Sequence, residues 1–424
     1  MAKYRQSRIN EEMFKEAAQI IRTVKDPRVS EAFVSVTGVE VTPDLKYAKI
    51  FYSHMQGDKK TVKKGLESSA PYIRGQLAKS LNLRITPELT FVEDTSIAYG
   101  AKIEKIISGF TYTEDAPVFA ITADGKDWLC TDSRYEEAAC QLWEPERVFI
   151  YKGSSSEALN ALLKDLCGSA PVGMEAEHLA WAYVQRLEPG LTLKAADGLV
   201  EKLRAVKDDE EIRLTEASVA LNHQMLDWLP SQLVPGQDEA AAAWAIEKFY
   251  REHGASELAF PSIVAKDANA ALPHYAPDRP AVFTENCMVL VDEGCRLGRY
   301  CSDMTRPYWI GDRPEPRFIE MLERVQEAQR RAIAALRPGI TGRDVHSVAV
   351  DYFASCGMDE YFTHSLGHGV GLETHEGPRL SPRATEALVP GNIVTIEPGL
   401  YFPGWGGARW EHMAVITEDG CRVL

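Results

Sequence analysis

The sequence has no Cys-x-x-Cys pair, no uninterrupted apolar run of about 18 residues, and no linker rich in Gly, Ser or Pro. Each absence removes a class of protein. The eight cysteines are scattered at 130, 140, 167, 287, 295, 301, 356 and 421. That scatter suits reduced thiols in a cytoplasmic protein better than a disulfide framework. Without a long apolar run, no membrane span is expected. The first residues, MAKYRQSRINEEMFKEA, are charged and lack the apolar core of a signal peptide. Without a linker, successive modules must abut, and Ile106-Ile107 runs straight into Ser108-Gly109-Phe110.

What is present points to several domains. A chain of 424 residues exceeds one ordinary core and suggests two or three. Apolar content of 45% and charged content of 26% are ordinary for a globular protein. The net charge of −15 is unevenly spread. Residues 1–107 carry 18 Lys+Arg against 13 Asp+Glu, while the remainder carries 29 against 49. A basic module joined to an acidic one suggests different partners, and the basic one could favour nucleic acid.

The basic module has a clear pattern. Ile9, Met13, Ala17, Ile20, Ile21 and Val24 fall at helical spacing. Two β-rich runs follow, Ala32–Val41 and Ala48–His54, joined by a Pro-containing turn. Val62–Leu81 reads as a helix with Pro71 inside it, so a kink is expected near residues 68–71. Glu88–Val92 reads as a third strand and Ile97–Ile107 as a closing helix. This order, with the strings DPRV, VTGVEVTPDLKYAKIF and LRITPELTFVEDTSIAYGAKIEKII, resembles ribosome-binding factor A over nearly all of residues 5–107. The resemblance implies a KH-like fold, a part in small-subunit maturation, and contact with the small ribosomal subunit and its 16S rRNA. Candidate phosphate contacts are Lys59, Lys60, Lys63, Lys64, Arg74, Lys79 and Arg84. The plainer reading of such lysines is a solvated helix face.

From Pro117 the chain reads as two short strands about an Asp-Gly turn, and then a helix. Residues 146–195 continue as strand, helix and helix, and Thr192–Ala196 adds a short strand. A helical region is expected from Glu201 to about Leu233, with another through His253.

The remainder carries the chemistry. Asp292 and Asp303 lie in MVLVDEGCRLGRYCSDMTRPYWIG, and Glu397 and Glu411 lie in IVTIEPGLYFPGWGGARWEHMAVIT. Each pair is mirror-symmetric about a probable turn. The first midpoint falls between Leu297 and Gly298 and the second on Gly404. Folding there would set Asp292 opposite Asp303 and Glu397 opposite Glu411. Opposed residues on paired strands have Cβ atoms roughly 4.5–5.5 Å apart, where like charges repel. Two such clashes in apolar strands make sense if a cation cancels them. Four carboxylates with one imidazole from the histidines between them suit two divalent ions, Mn²⁺ or Co²⁺ before Zn²⁺ or Fe²⁺. His375 lies seven residues after His368, an interval that a regular strand would put on the opposite face. Gly369 and Gly371 would allow a bulge that unites the two histidines. Glu293 should point away from Asp292, because neighbours on a strand face opposite sides.

The motifs ALPHYAPD, VDEGCRLGRYCSDMTR, HSLGHGVGLETHEGP, IEPGLY and ARWEHMAVITEDG closely resemble the pita-bread metallopeptidases, nearest to the Xaa-Pro aminopeptidase and prolidase branch. Carried over position by position, the resemblance implies metal ligands Asp292, Asp303, His368, Glu397 and Glu411. It gives His274, His375, Glu397 and Arg409 catalytic roles, and His364 and His274 contact with the peptide substrate. It further implies removal of an N-terminal residue next to proline, and a homodimer. Three departures stand near the ligands: Glu293 and Cys295 replace a common Phe and Ala, and His412 replaces a common Asp.

The expected fold is therefore α+β and multidomain. Residues 1–107 form the KH-like module, 108–198 a truncated creatinase-type N-domain, and 199–424 the pita-bread domain. The N-domain is expected to lack its opening helix and strand, as in a fusion of two genes. The rival reading is a ribosome maturation factor carrying an idle peptidase fold, which would show missing ligands; none is missing.

Overall fold

The computed structural model describes residues 2–30, 32, 34–42, 45–54, 58–81, 86–93, 118–122, 125–276 and 278–424. The chain divides into two compact units, residues 1–121 with 126–150, and residues 122–125 with 151–424.

In the first unit, helix Ala2–Arg22 buries Met13, Ala17, Ile20 and Ile21, the stripe its periodicity announces. Strands Val34–Val41 and Tyr47–His54 pair antiparallel, and Glu88–Glu93 adds to Tyr47–His54 in parallel. Helix Lys59–Ser80 is capped by Asp58, whose carboxylate accepts from Thr61 N, and it continues through Pro71. It buries Val62, Leu66, Ile73 and Leu77 in one cluster with Ile50, Tyr52 and Phe91. The closing helix expected over 97–107 and the junction at 107–108 lie outside the described residues. A second, smaller cluster in this unit joins Leu129, Ala139 and Trp143. It belongs to a three-stranded sheet ordered Val118–Ile121, Asp127–Thr131, Val148–Ile150.

The second unit opens with helices Ser155–Cys167 and Trp181–Leu187 and a parallel strand pair, Val172–Met174 with Leu193–Ala195. The long helix expected from 201 to 233 is instead two helices, Leu199–Arg204 and Asp209–Trp228. The break has a cause in side chains. Asp208 caps the second helix in a reciprocal box with Glu211, and Lys207 N donates to Gly391 O outside the helix.

Strand Cys287–Glu293 lies between Ile263–Lys266 and Met304–Ile310, antiparallel to both. Its residues alternate between two faces. Val289 and Val291 pack with Met225, Ile246 and Tyr250 of helices Asp209–Trp228 and Glu239–Glu252. Met288 and Leu290 pack with Met321 and Val325 of helix Pro316–Ala335 and Phe353 of Gly342–Ser355. A five-stranded sheet runs in the order Glu376–Leu380, Gly367–Gly369, Ile393–Ile396, His412–Ile416, Cys421–Val423.

The two turns differ in how far they follow the symmetry of the acidic pairs. Around Gly404 the register holds: Gly399 pairs with Arg409, and Ile396 pairs with His412. One register therefore spans residues 397 and 411. Around Gly298 the turn centre lies one residue later than expected, which shifts the register by two residues. Leu297 pairs with Tyr300 and Asp292 with Thr305, so Asp303 is not directly opposite Asp292. The turn is Gly298-Arg299, both at positive φ (57° and 79°), a two-residue connection that sits one position later than symmetry of the acidic pair suggested.

Candidate metal centre

Strand ends bring all five sequence-derived ligands together. Asp292 is the penultimate residue of its strand, Asp303 precedes Met304–Ile310, and His368 lies within Gly367–Gly369. Glu397 and Glu411 stand where strands Ile393–Ile396 and His412–Ile416 give way to the hairpin Gly399–Phe402 with Gly406–Arg409. His368 Nε2 lies 3.5 Å from Asp303 Oδ2 and 3.3 Å from Glu397 Oε1. One ligand atom each of Asp303, His368 and Glu411 falls within 4.8 Å of the others. Glycines on both sides of His368 permit this closeness. A Cβ on Gly367 would stand 2.0 Å from Thr395 O, and one on Gly369 2.1 Å from Gly377 O.

The charge in this site is not balanced by protein. Asp303 and Glu411 are 4% and 1% exposed. Burial, then the neighbouring carboxylates, pushes Asp303 and Glu411 well above the usual carboxylate range. Burial pushes Glu397 up to about 8. Arg409 is the cation that meets them: its Nη2 donates to Asp292 Oδ2 at 2.7 Å, and its Nε lies 3.8 Å from Glu397 Oε2. Arg409 Nε also donates to Thr305 Oγ1 at 2.9 Å. The Thr305 hydroxyl lies 2.8 Å from Asp292 Oδ1 and 2.7 Å from Glu411 Oε2. It has one proton and can donate to only one of them. Glu411 Oε1 is buried and has no hydrogen-bond partner among the described residues. An orphaned carboxylate oxygen beside three more acidic groups and a neutral imidazole is what divalent cations require.

The histidines occupy distinct positions. The ladder between Gly367–Gly369 and Glu376–Leu380 shifts register, as a bulge requires, and the rings of His368 and His375 lie 4.2 Å apart. Burial, then His375, pushes His368 down to about 3. Burial, then Arg379 and His274, holds His375 below its ordinary value. His274 is exposed on the segment between Asp267–Ala271 and Cys287–Glu293. His364 is engaged inside the protein by both nitrogens: Nδ1 lies 2.7 Å from Ser365 O and Nε2 2.9 Å from Tyr401 Oη. Tyr401 Oη in turn accepts from Arg409 Nη1 at 2.7 Å. In this arrangement His364 has no ring nitrogen free for a substrate and instead orients Tyr401 and Arg409.

Glu293 lies on the far side of its strand, as alternation requires. It accepts from Asn222 Nδ2 at 3.1 Å and from the Tyr250 hydroxyl, and burial pushes it well above the usual carboxylate range.

Several residues around the site went unread in the sequence. Thr305 bridges two acidic residues. Glu239, buried, accepts from Lys266 N, Asn269 Nδ2, Tyr275 Oη and Ala281 N at 2.8–2.9 Å and so ties down both ends of the segment carrying His274. Lys207 and Arg204 both donate to the carboxylate of Glu376, next to His375.

In the first unit, Lys63, Lys64 and Lys79 are exposed along helix Lys59–Ser80. Arg74 is exposed, but its Nη2 donates to Thr86 O at 2.8 Å. Arg84 lies outside the described residues.

Residues 213–418 match the family model of metallopeptidase family M24. An uncharacterized peptidase of Bacillus subtilis, YqhT, is 32% identical over 325 residues, covering 76% of this chain and 90% of that protein. The chain belongs to metallopeptidase family M24. Residues 107–206 match the creatinase/prolidase N-terminal domain, and residues 5–107 match ribosome-binding factor A. A Xaa-Pro dipeptidase of Pyrococcus horikoshii is 33% identical over 269 residues, 63% of this chain and 76% of that protein. Among solved structures, a Xaa-Pro dipeptidase from Bacillus anthracis superposes with a TM-score of 0.71 at 32% identity, covering 77% of this chain and 90% of that one. Prolidase from Pyrococcus furiosus gives 0.68 at 28% identity, covering 77% and 98%. M24 membership implies divalent metal ions, a peptide substrate and a mixed α/β architecture with a pita-bread domain. No helix among the described residues is long and apolar enough to cross a membrane.

Proposed function

We propose that this M24 enzyme is a two-metal exopeptidase that releases an N-terminal residue lying next to proline, as an aminopeptidase or a dipeptidase. The observation that carries the reading is the buried, unpartnered Glu411 Oε1 set among Asp292, Asp303, Glu397 and His368. These five side chains would hold two ions, Mn²⁺ or Co²⁺ by the preference of carboxylate-rich sites. Bound there, the pair would polarise the scissile carbonyl and activate water at neutral pH.

The protein's own groups do the rest. Arg409 and Thr305 hold Asp292 and Glu411 in place through the bonds described above. His375 is kept neutral and can donate a hydrogen bond to a developing oxyanion without a charge to desolvate. His274, which is exposed, contacts the substrate carbonyl in this reading. Glu397 or His375 takes the proton from water and passes it to the leaving nitrogen. Tyr275, Tyr401 and Trp405 supply apolar walls for a proline ring.

The same chain carries a ribosome-binding factor A module, and Lys63, Lys64 and Lys79 are its candidate contacts with 16S rRNA. We divide the chain at 107 and 198 into this module, the N-domain and the catalytic domain, and we place the protein in the cytoplasm as a homodimer. The test is hydrolysis of Xaa-Pro peptides with Mn²⁺ by the intact chain and by Asp303→Asn. The substitution should abolish turnover, as should a chelator. Unchanged turnover in Asp303→Asn would overturn the proposal.

A further inference from the structure

Behind Glu397 and Glu411 runs a buried line of polar side chains that the proposed reaction does not use. Gln329 lies on helix Pro316–Ala335, on the stripe that also buries Met321, Val325, Ala328 and Ala332. It is 4% exposed. Its Nε2 donates to Ile396 O at 2.8 Å and to Trp410 O at 3.0 Å. These carbonyls belong to the residues immediately before Glu397 and Glu411. Its Oε1 lies 3.1 Å from His412 Nδ1, and His412 Nε2 lies 2.9 Å from Arg306 Nη2. Arg306 Nη1 donates to the carbonyls of Thr305 (2.9 Å) and Glu411, and its guanidinium stands 4.4 Å from the centre of the Trp410 ring.

The direction of every bond in this line is forced. A guanidinium has donors only, so His412 Nε2 must accept. An imidazole that accepts at one nitrogen carries its proton on the other, so Nδ1–H donates to Gln329. Only the carboxamide oxygen can receive that proton, which turns the NH₂ group onto the two main-chain carbonyls. Reversing the carboxamide would set donor against donor and acceptor against acceptors, leaving buried polar groups unsatisfied.

We propose that Arg306, His412 and Gln329 form a directional relay that fixes the main chain before Glu397 and around Glu411, and so sets the spacing of the two carboxylates for a pair of divalent ions. They are positioning residues, since none touches substrate or reacting atoms. The proposal rests on reading Glu397 and Glu411 as metal ligands.

Three substitutions separate direction from packing. Gln329→Leu removes both donors at similar volume. His412→Asp and His412→Asn are alike in size, but Asn can donate towards Gln329 and Asp can only accept. Asp would therefore turn the carboxamide over. The metal-free full-length proteins are titrated with Mn²⁺ and Co²⁺, following binding heat and the visible absorption of Co²⁺. Thermal unfolding without metal reports whether each variant folds. Gln329→Leu and His412→Asp should bind metal about 10–100-fold more weakly and alter the Co²⁺ spectrum at saturation, while His412→Asn stays close to the parent protein. If Gln329→Leu does not fold, the two His412 variants decide the matter. Identical behaviour of His412→Asp and His412→Asn, with the parent binding metal normally, overturns the relay alone. A parent protein that binds no divalent ion overturns the ligand reading and the relay with it.

Discussion

Arg409 and Asp292 form a buried pair, with guanidinium Nη2 2.7 Å from carboxylate Oδ2. The same guanidinium reaches Thr305 and Tyr401, so one planar group holds the proposed ligand Asp292, a bridging hydroxyl and the Tyr401–His364 pair in a fixed relation. Lysine would keep the charge but could not span these partners. Arg409→Lys should lower metal affinity about 10–100-fold, measured by titration of the metal-free protein. Arg409→Ala, which leaves Asp292 buried without its partner, should cost about 3–5 kcal/mol of stability in the metal-free protein.

The acidic cluster makes the metal-free protein sensitive to alkali. Asp303, Glu397 and Glu411 titrate higher in the folded chain than in the unfolded one, Glu397 at about 8. Groups raised in this way give stability that is complete below their unfolded pKa and lost as pH climbs through the folded value. His364 and His368, both pushed down to about 3, act in the opposite sense and cost stability below their unfolded value of 6.5. Between pH 6.5 and 8 the buried carboxyls lose protons in the folded chain, and His178, raised by its hydrogen bond to Glu201, acts in the same sense, so the unfolding temperature of the metal-free protein should fall across that window. Added Mn²⁺ should remove the fall, because the ligands bind it deprotonated. Differential scanning at several pH values, with and without Mn²⁺, checks both.

Lys207 is almost wholly buried, and its ammonium meets Glu376, whose side chain is 7% exposed. Lys207→Met should destabilise the second unit by about 3–5 kcal/mol, because the carboxylate is left with Arg204 as its only cation. Since Glu376 adjoins His375, the same substitution should lower kcat more than it raises KM.

For the ribosome-binding factor A module, Lys63→Glu with Lys64→Glu in the full chain should weaken small-subunit binding. It should also flatten the salt dependence of binding by about one unit of slope for each phosphate no longer neutralised. Arg74→Ala should matter less, because its guanidinium is already bonded to Thr86 O. Co-sedimentation at several salt concentrations distinguishes the two.

What could be read from the residues followed from how local each signal was. Glu397 and Glu411 were legible because a short hairpin centred on Gly404 connects strands of unbroken register. The partner of Asp292 was misplaced by two residues, and the turn centre by one, because the true turn, Gly298-Arg299, needs an arginine at positive φ, which composition does not announce. The break at Lys207 hid inside a helical pattern, although Asp208 and Glu211 spell a capping box three residues apart. Gln329 left a fainter trace, a polar residue on an otherwise apolar helical stripe. Thr305 and Glu239 left none, because their partners come from segments distant in sequence.

The shared register of two strand pairs, ending at Ile396–His412 and resuming at Gly399–Arg409, separates the chemistry from the tip of its hairpin. Residues 403–405 can lengthen, shorten or change character without moving Glu397 or Glu411, because the ladder below absorbs none of the change. On the proposed reading, in which Trp405 walls the substrate, preference for one peptide over another can drift there while the acidic cluster beneath is inherited intact.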